Sequence, residues 1–332
     1  MKTIKKRVLG AVSILAVSAL TLTACGRGDA STDAADGASP EGGSGPYVAI
    51  VSKGFSQQFW VSVREGAEAA ADELGARITF DGPDTESDVE QQIQQLQTAM
   101  NGNPDAIGFA ALDSEASIPL IEQADADGIP IVAFDSGVES EIPVTTVATD
   151  NYAAAAEAAK HMVELAGGTG KVAVVAHDQT SLTGTQRRDG FVDYIEQNSD
   201  MEIVDIQYTN SDVLKATNVT NAFLQANPDL KGIFATNEAS AIGMITAIDE
   251  LGRKDGLTAI GFDSGKGQID AIKDGRLDGA ITQDPYNIGY RTVEAALAAI
   301  DGEEVEELVD TGFYFYDATN LEDEEIARSL YE

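Results

Sequence analysis

From Tyr47 onward, short apolar runs alternate with longer amphipathic stretches. "YVAIVS" is continuous and of strand length, whereas "QQFWVSVREGAEAAADELG" carries a helical period and closes on Gly75, a residue suited to a helix C-cap. "ARITFDG" predicts a second strand. "ESDVEQQIQQLQTAMNG" predicts a second helix, with Val89, Ile93, Leu96 and Met100 at helical spacing. A strand in "PDAIGFAAL", a helix in "SIPLIEQADADG", a strand in "IPIVAFD" and a long Ala-rich helix from Asp150 follow. The alternation then repeats from "GKVAVVAHD" through "LDGAITQD" to a helix over 286–301, and "VDTGFYFYD" supplies a last extended run. Strands that alternate with helices across short turns argue for parallel sheets covered on both faces.

The number of units exceeds one small sheet, and the pattern breaks at Thr149-Asp150-Asn151. The expected fold class is therefore α/β: two doubly wound parallel-sheet lobes joined by a multi-strand hinge. The N-terminal lobe would take 47–149 plus 284–310, and the C-terminal lobe 150–283 plus 311–332. In open parallel sheets, ligands bind beyond the carboxyl ends of the strands. The residues just after each apolar run are therefore the candidates for function.

Before Tyr47 the pattern is different. Lys2, Lys5, Lys6 and Arg7 precede an apolar stretch, Val8–Leu22, of signal-sequence length and too short to span a membrane. It ends in Leu22-Thr23-Ala24-Cys25, which resembles a lipobox, so 1–24 reads as a signal peptide and Cys25 as a lipidation site. Cys25 is the only cysteine, so no disulfide can form within the chain. Residues 25–46 are Gly, Ser, Ala and Asp with little to bury, the composition of a flexible tether. The implied location is extracytoplasmic, at the cell membrane.

The chain of 332 residues holds 56 Asp plus Glu against 21 Lys plus Arg, a net charge of −35. Such a field repels nucleic acid and anionic surfaces and disfavours a strongly anionic ligand. It contains no HExxH, no GxSxG and no GxxxxGK[ST] spacing. With two histidines and one cysteine, neither a metal, a cofactor nor a serine nucleophile is expected.

"FDSG" occurs twice, at 134–137 and 262–265, each time after an apolar run. An Asp can accept hydrogen bonds from two adjacent hydroxyls, so Asp135 and Asp263 in opposing lobes would clamp a polyhydroxy ligand. Each Asp could equally cap the helix that follows or form a turn. The loop after the first strand, Ser52-Lys53-Gly54-Phe55-Ser56-Gln57-Gln58-Phe59-Trp60, concentrates amides and rings and holds the only tryptophan. Rings offer flat faces to sugar C–H groups, and glutamines match hydroxyls. His177 ends a strand and should face the same cleft.

From Tyr47 to about Asp317 the sequence resembles the bacterial periplasmic sugar-binding proteins of the ribose-binding type, the receptors of ABC importers (the periplasmic binding protein type I fold). The matching stretches are "AIVSKGFSQQFWVSVREGA", "GIPIVAFDSG", "TDN", "RRDGF", "GIFATNEASAIG", "IGFDSGKGQIDAI" and "GAITQDP", in that order. The resemblance implies ligand contacts from Gln57, Phe59, Trp60, Asp135, Asn237, Asp263 and Gln283, with Ser52 as a further candidate. Two positions depart from the family pattern. Ser136 stands where pentose binders often carry Arg, and Thr185 stands at a usual Arg position, with Arg187 and Arg188 just beyond. Lys53, Ser136, His177 and Arg187 complete the candidate set.

The function so implied is that of a solute-binding lipoprotein, expected to be monomeric. It would bind a small neutral sugar, polyol or related hydroxylated compound by hinge closure and deliver it to a membrane permease. A receptor for a membrane signalling partner would use the same closed form. A surface glycoside hydrolase could use Asp135 and Asp263 as paired carboxylates.

Overall fold

A computed structural model describes residues 45–331. The signal segment, Cys25 and the tether up to residue 44 lie outside the described residues. Gly45 and Pro46 are already tied to the fold: their carbonyls accept hydrogen bonds from the Arg77 Nε and the Arg77 N–H, at 3.2 and 2.8 Å.

The chain runs β1 (Tyr47–Val51), α1 (Gln58–Leu74), β2 (Arg77–Asp81), α2 (Val89–Asn101), β3 (Ala106–Phe109), α3 (Ile118–Ala126), β4 (Ile131–Phe134), β5 (Thr145–Ala148). It continues α4 (Asn151–Ala166), β6 (Thr169–Ala176), α5 (Leu182–Asn198), β7 (Asp200–Tyr208), α6 (Val213–Ala226), β8 (Leu230–Ala235), α7 (Glu238–Leu251), β9 (Thr258–Phe262). The last elements are α8 (Lys266–Lys273), β10 (Gly279–Gln283), α9 (Pro285–Ile300), β11 (Leu308–Asp310), β12 (Phe313–Tyr316) and α10 (Glu324–Ala327).

Two six-stranded sheets result, ordered β2-β1-β3-β4-β5-β11 and β7-β6-β8-β9-β10-β12. The first is parallel throughout, with Val48 opposite Ile78 on one side and Ala106 on the other. The second is parallel except where β12 returns antiparallel to β10, Ile281 facing Phe315. This is the α/β architecture the alternation predicts. The chain passes from the first sheet to the second after β5, returns between β10 and α9, and passes again between β11 and β12.

Buried strands flanked by helices explain the composition of the runs. β1, β3, β4, β9 and β10 are buried along their whole length, so each reads as an unbroken apolar run. Gly75 ends α1 in the left-handed conformation (φ 74°), and its N–H donates to the Ala71 carbonyl. The α2 stripe is less regular than its spacing suggests. Leu96 and Met100 are buried and Val89 and Ile93 are half-buried, while Gln92 is buried among them. Gln92 Nε2 donates to the carbonyls of Ser52 and Ala110, both at 2.8 Å, and its Oε1 accepts the Leu112 N–H at 3.0 Å. One amide thus splints the carboxyl ends of β1 and β3, from which the first loop of the site departs.

Candidate functional site

The carboxyl ends of both sheets meet around a small polar cavity. Its walls are Lys53, Gln57, Phe59, Trp60, Glu86 and Asp135 from the first lobe. The second lobe adds His177, Thr183, Arg187, Asn237, Asp263 and Gln283.

The duplicated Phe-Asp-Ser-Gly has one physical form in both lobes. The strand ends at the buried Phe, and the Asp that follows turns into the left-handed region, φ 55° at Asp135 and 79° at Asp263. Each Asp N–H stays tied to the neighbouring strand, Asp135 to the Val147 carbonyl at 2.9 Å and Asp263 to the Ile281 carbonyl at 2.6 Å. Positive φ is uncommon for a residue with a side chain, though Asp tolerates it better than most, and such positions cluster where function demands an orientation. Here it swings each carboxylate off the strand end and into the cavity.

The two carboxylates are held differently. Asp263 is fixed: Gln283 Nε2 donates to Oδ1 at 2.7 Å, and the Glu238 N–H donates to Oδ2 at 2.8 Å. Asp135 is looser, its nearest cation being Lys53, Nζ to Oδ2 at 3.9 Å. Burial raises the Asp135 pKa to about 6, against the opposing pull of Lys53 and Arg187.

The first loop is rigid where it leaves β1. The Ser52 hydroxyl donates to the carbonyls of Gly54 and Asp81, at 2.5 and 3.0 Å. Ser52 therefore shapes the loop and does not reach the cavity wall. Ser136 is likewise buried beside Asp135 but outside the wall. Phe59 and Trp60 both line the cavity while packing on the first-lobe core, edge to face with centroids 4.9 Å apart. Asp113, another acid after a strand, accepts the N–H groups of Glu115 and Ala116 and makes a turn.

Arg187 and Arg188 part company. Arg187 is 3% exposed and lies 3.7 Å over the Phe262 ring. It donates Nε to Asn151 Oδ1 at 2.7 Å and Nη1 to the Thr236 carbonyl at 3.0 Å, which presents the guanidinium at the cavity wall. Arg188 faces Asp189 and the Tyr208 hydroxyl instead. His177 is buried, Nδ1 within 2.7 Å of the Thr236 hydroxyl, and burial lowers its pKa far below the usual range despite Asp178 at 3.3 Å. It is a neutral hydrogen-bonding group at neutral pH.

Two wall residues were not among the sequence candidates. Glu86 comes from the loop between β2 and α2. It accepts Trp60 Nε1–H at 2.6 Å and Asn237 Nδ2–H at 3.4 Å, the latter across the cleft. Thr183, in the first turn of α5, accepts a 2.9 Å hydrogen bond from Lys53 Nζ, also across the cleft. Neither stands directly after a strand or in a stretch that the family resemblance singled out for ligand contact. Gln283 Oε1 and Glu238 Oε2 are buried without a partner among the described residues. No metal-ligating cluster occurs among the described residues.

The arrangement offers carboxylate and amide acceptors, amide, ammonium and guanidinium donors, and two ring faces, divided between two bodies. That chemistry suits a compact solute bearing hydroxyls. The ribose import binding protein RbsB of Bacillus subtilis is 29% identical over 255 residues, 77% of this chain and 82% of that one. Two solved transporter solute-binding proteins, the first of an ABC transporter and the second of a carbohydrate transporter, share the fold closely. One from Agrobacterium vitis with bound D-fucose has a TM-score of 0.84 and 36% identity, covering 86% of this chain and all of its own. One from Agrobacterium radiobacter in complex with D-arabinose has a TM-score of 0.83 and 30% identity, covering 86% and 99%. The family model described as a periplasmic binding protein domain matches residues 48–304, and with this cleft between two parallel-sheet lobes the chain belongs to that family.

Proposed function

We propose that the chain is the solute-binding component of an ABC importer, taking a small neutral sugar, polyol or related hydroxylated compound between its lobes. One observation carries this reading: Asp135 and Asp263, one from each lobe, line the same cavity in the same strained backbone conformation. Gln57, Phe59, Trp60, Asn237 and Gln283 complete the contacts, with Lys53, His177 and Arg187 as further donors. Ser52 and Ser136 support the loops. Closure is favoured when one ligand bonds to both lobes, and a membrane permease recognises the closed form.

Asp263 serves as a fixed acceptor, its two oxygens already oriented by Gln283 and the Glu238 N–H, which suits binding rather than proton transfer. A thermal-shift panel of pentoses, hexoses and polyols tests the proposal. A ligand present at 100 times its Kd stabilises the native state by about 2.7 kcal/mol, a readily visible shift. A panel in which no neutral hydroxylated compound raises the melting temperature would overturn it.

The same proposal puts a lipid on Cys25 and makes residues 25–44 a tether that holds the binding domain near its permease. The basic segment, apolar stretch and Leu-Thr-Ala-Cys order support it. Replacing Cys25 by Ala should release the protein from the membrane fraction.

A further inference from the structure

The segment after β12 packs first on the second lobe. Leu321, Ile326 and Leu330 lie against its core, and the Ser329 carbonyl accepts Thr282 Oγ1–H at 2.8 Å. Tyr331 then leaves that lobe. Its ring is buried in the apolar cluster of the first lobe, 6.1 Å from the Phe59 ring and inclined at 67°. Its hydroxyl oxygen accepts the Ser264 N–H at 3.1 Å, and Ser264 is the residue after Asp263. One side chain therefore touches a wall residue of the first lobe and the turn that aims Asp263 in the second, while lining none of the cavity itself. Gln57, which caps α1, provides no side-chain cap of its own.

We propose that Tyr331 is a positioning residue for the binding site, a strap behind the cavity that holds the lobes closed through contacts no ligand makes. It steadies Phe59 and the Asp263 turn together, and it biases the ligand-free protein toward closure. This rests on the reading that the lobes move, but not on the identity of the ligand.

The test needs no ligand. Trp60 is the only tryptophan, is 2% exposed and touches Phe59, so its emission reports whether the seam is closed. In the purified, ligand-free full chain, Tyr331→Ala should shift that emission to the red and enlarge the radius of gyration in solution scattering. Tyr331→Phe, which keeps the ring contact and loses the bond to Ser264, should shift both in the same direction by less. A folded Tyr331→Ala protein with wild-type emission and wild-type radius overturns the strap. Should that variant fail to fold, wild-type values for both signals in Tyr331→Phe overturn it instead. If both shifts appear while no sugar or polyol binds, the strap stands and the ligand assignment falls.

Discussion

Asp135 and Asp263 bear a conformational cost for their aim. A left-handed residue with a Cβ costs roughly 1–2 kcal/mol, less for Asp than for Ala, and glycine is free of that cost. Asp263→Gly should therefore be more stable than Asp263→Ala by about 1 kcal/mol in urea unfolding. Both should lose at least tenfold in ligand affinity by calorimetry, since each leaves Gln283 Nε2 and the Glu238 N–H without their partner. Equal stability of the two variants would show that the backbone at Asp263 is unstrained. A second residue-scale effect concerns protons. Burial raises Glu238 to about 7 and Asp135 to about 6, from ordinary values of 4.5 and 3.8. The folded, closed protein thus holds protons that the unfolded chain has released, so these groups favour folding below about pH 4 and lose that contribution as pH rises through 6 to 7. Wild type should gain thermal stability relative to Glu238→Gln as pH falls from about 8 to 5, and a constant difference between the two would remove Glu238 as a titrating group. At this scale the lining of the cavity was legible at the strand ends. Asp135, Asn237, Asp263 and Gln283 all stand there and all line the cavity. Glu86 was not legible, because one acid in "GPDTESD" looks like any other in so acidic a chain.

Most elements were legible because each has its own period and its own stop, as Gly75 shows for α1, but β5 and α10 were not predicted, and the single run "VDTGFYFYD" divides into β11 and β12 on different sheets. What the periods could not show is how closely two helices approach. α9 returns to the first lobe and packs on α1 through Gly66 and Gly289. A methyl group at Gly289 would overlap the Val63 carbonyl oxygen, and one at Gly66 the Tyr286 carbonyl oxygen. A glycine in a helix normally weakens it, so here the close approach of two backbones offsets that loss. Gly289→Ala gains helix propensity yet should destabilise the protein by about 2–3 kcal/mol, because the backbones must separate. A lower urea midpoint with an unchanged slope would register this, and a stabilised variant would mean that the helices can part freely. Gln92 was equally illegible: a buried polar side chain inside an apolar stripe is chosen by the strand ends it joins, which adjoin only in the folded sheet.

At the scale of the molecule, two acidic bodies have to approach one another. A net charge of −35 opposes any compact state, and it opposes closure in particular, because closure shortens the distance between like charges on the two lobes. Inside the cleft the balance is local and of the opposite kind. Lys53 reaches Thr183 across the gap, and the Asn237 amide reaches Glu86, so short polar bonds and the burial of Phe59 and Trp60 act against a long-range repulsion. The two contributions separate by range. Salt shrinks the Debye length from about 30 Å at 0.01 M to about 3 Å at 1 M, which removes repulsion between exposed charges and leaves buried contacts nearly untouched. Added sodium chloride should therefore reduce the radius of gyration of the ligand-free protein and raise its melting temperature over that range. Affinity for a neutral ligand should rise as well, because the apparent constant scales with the fraction already closed. The Tyr331→Ala chain, deprived of its strap, should show the larger salt response, since more of its population starts open. A radius independent of salt in both chains would mean that the lobes are held by contacts strong enough to make the surface charge irrelevant to closure.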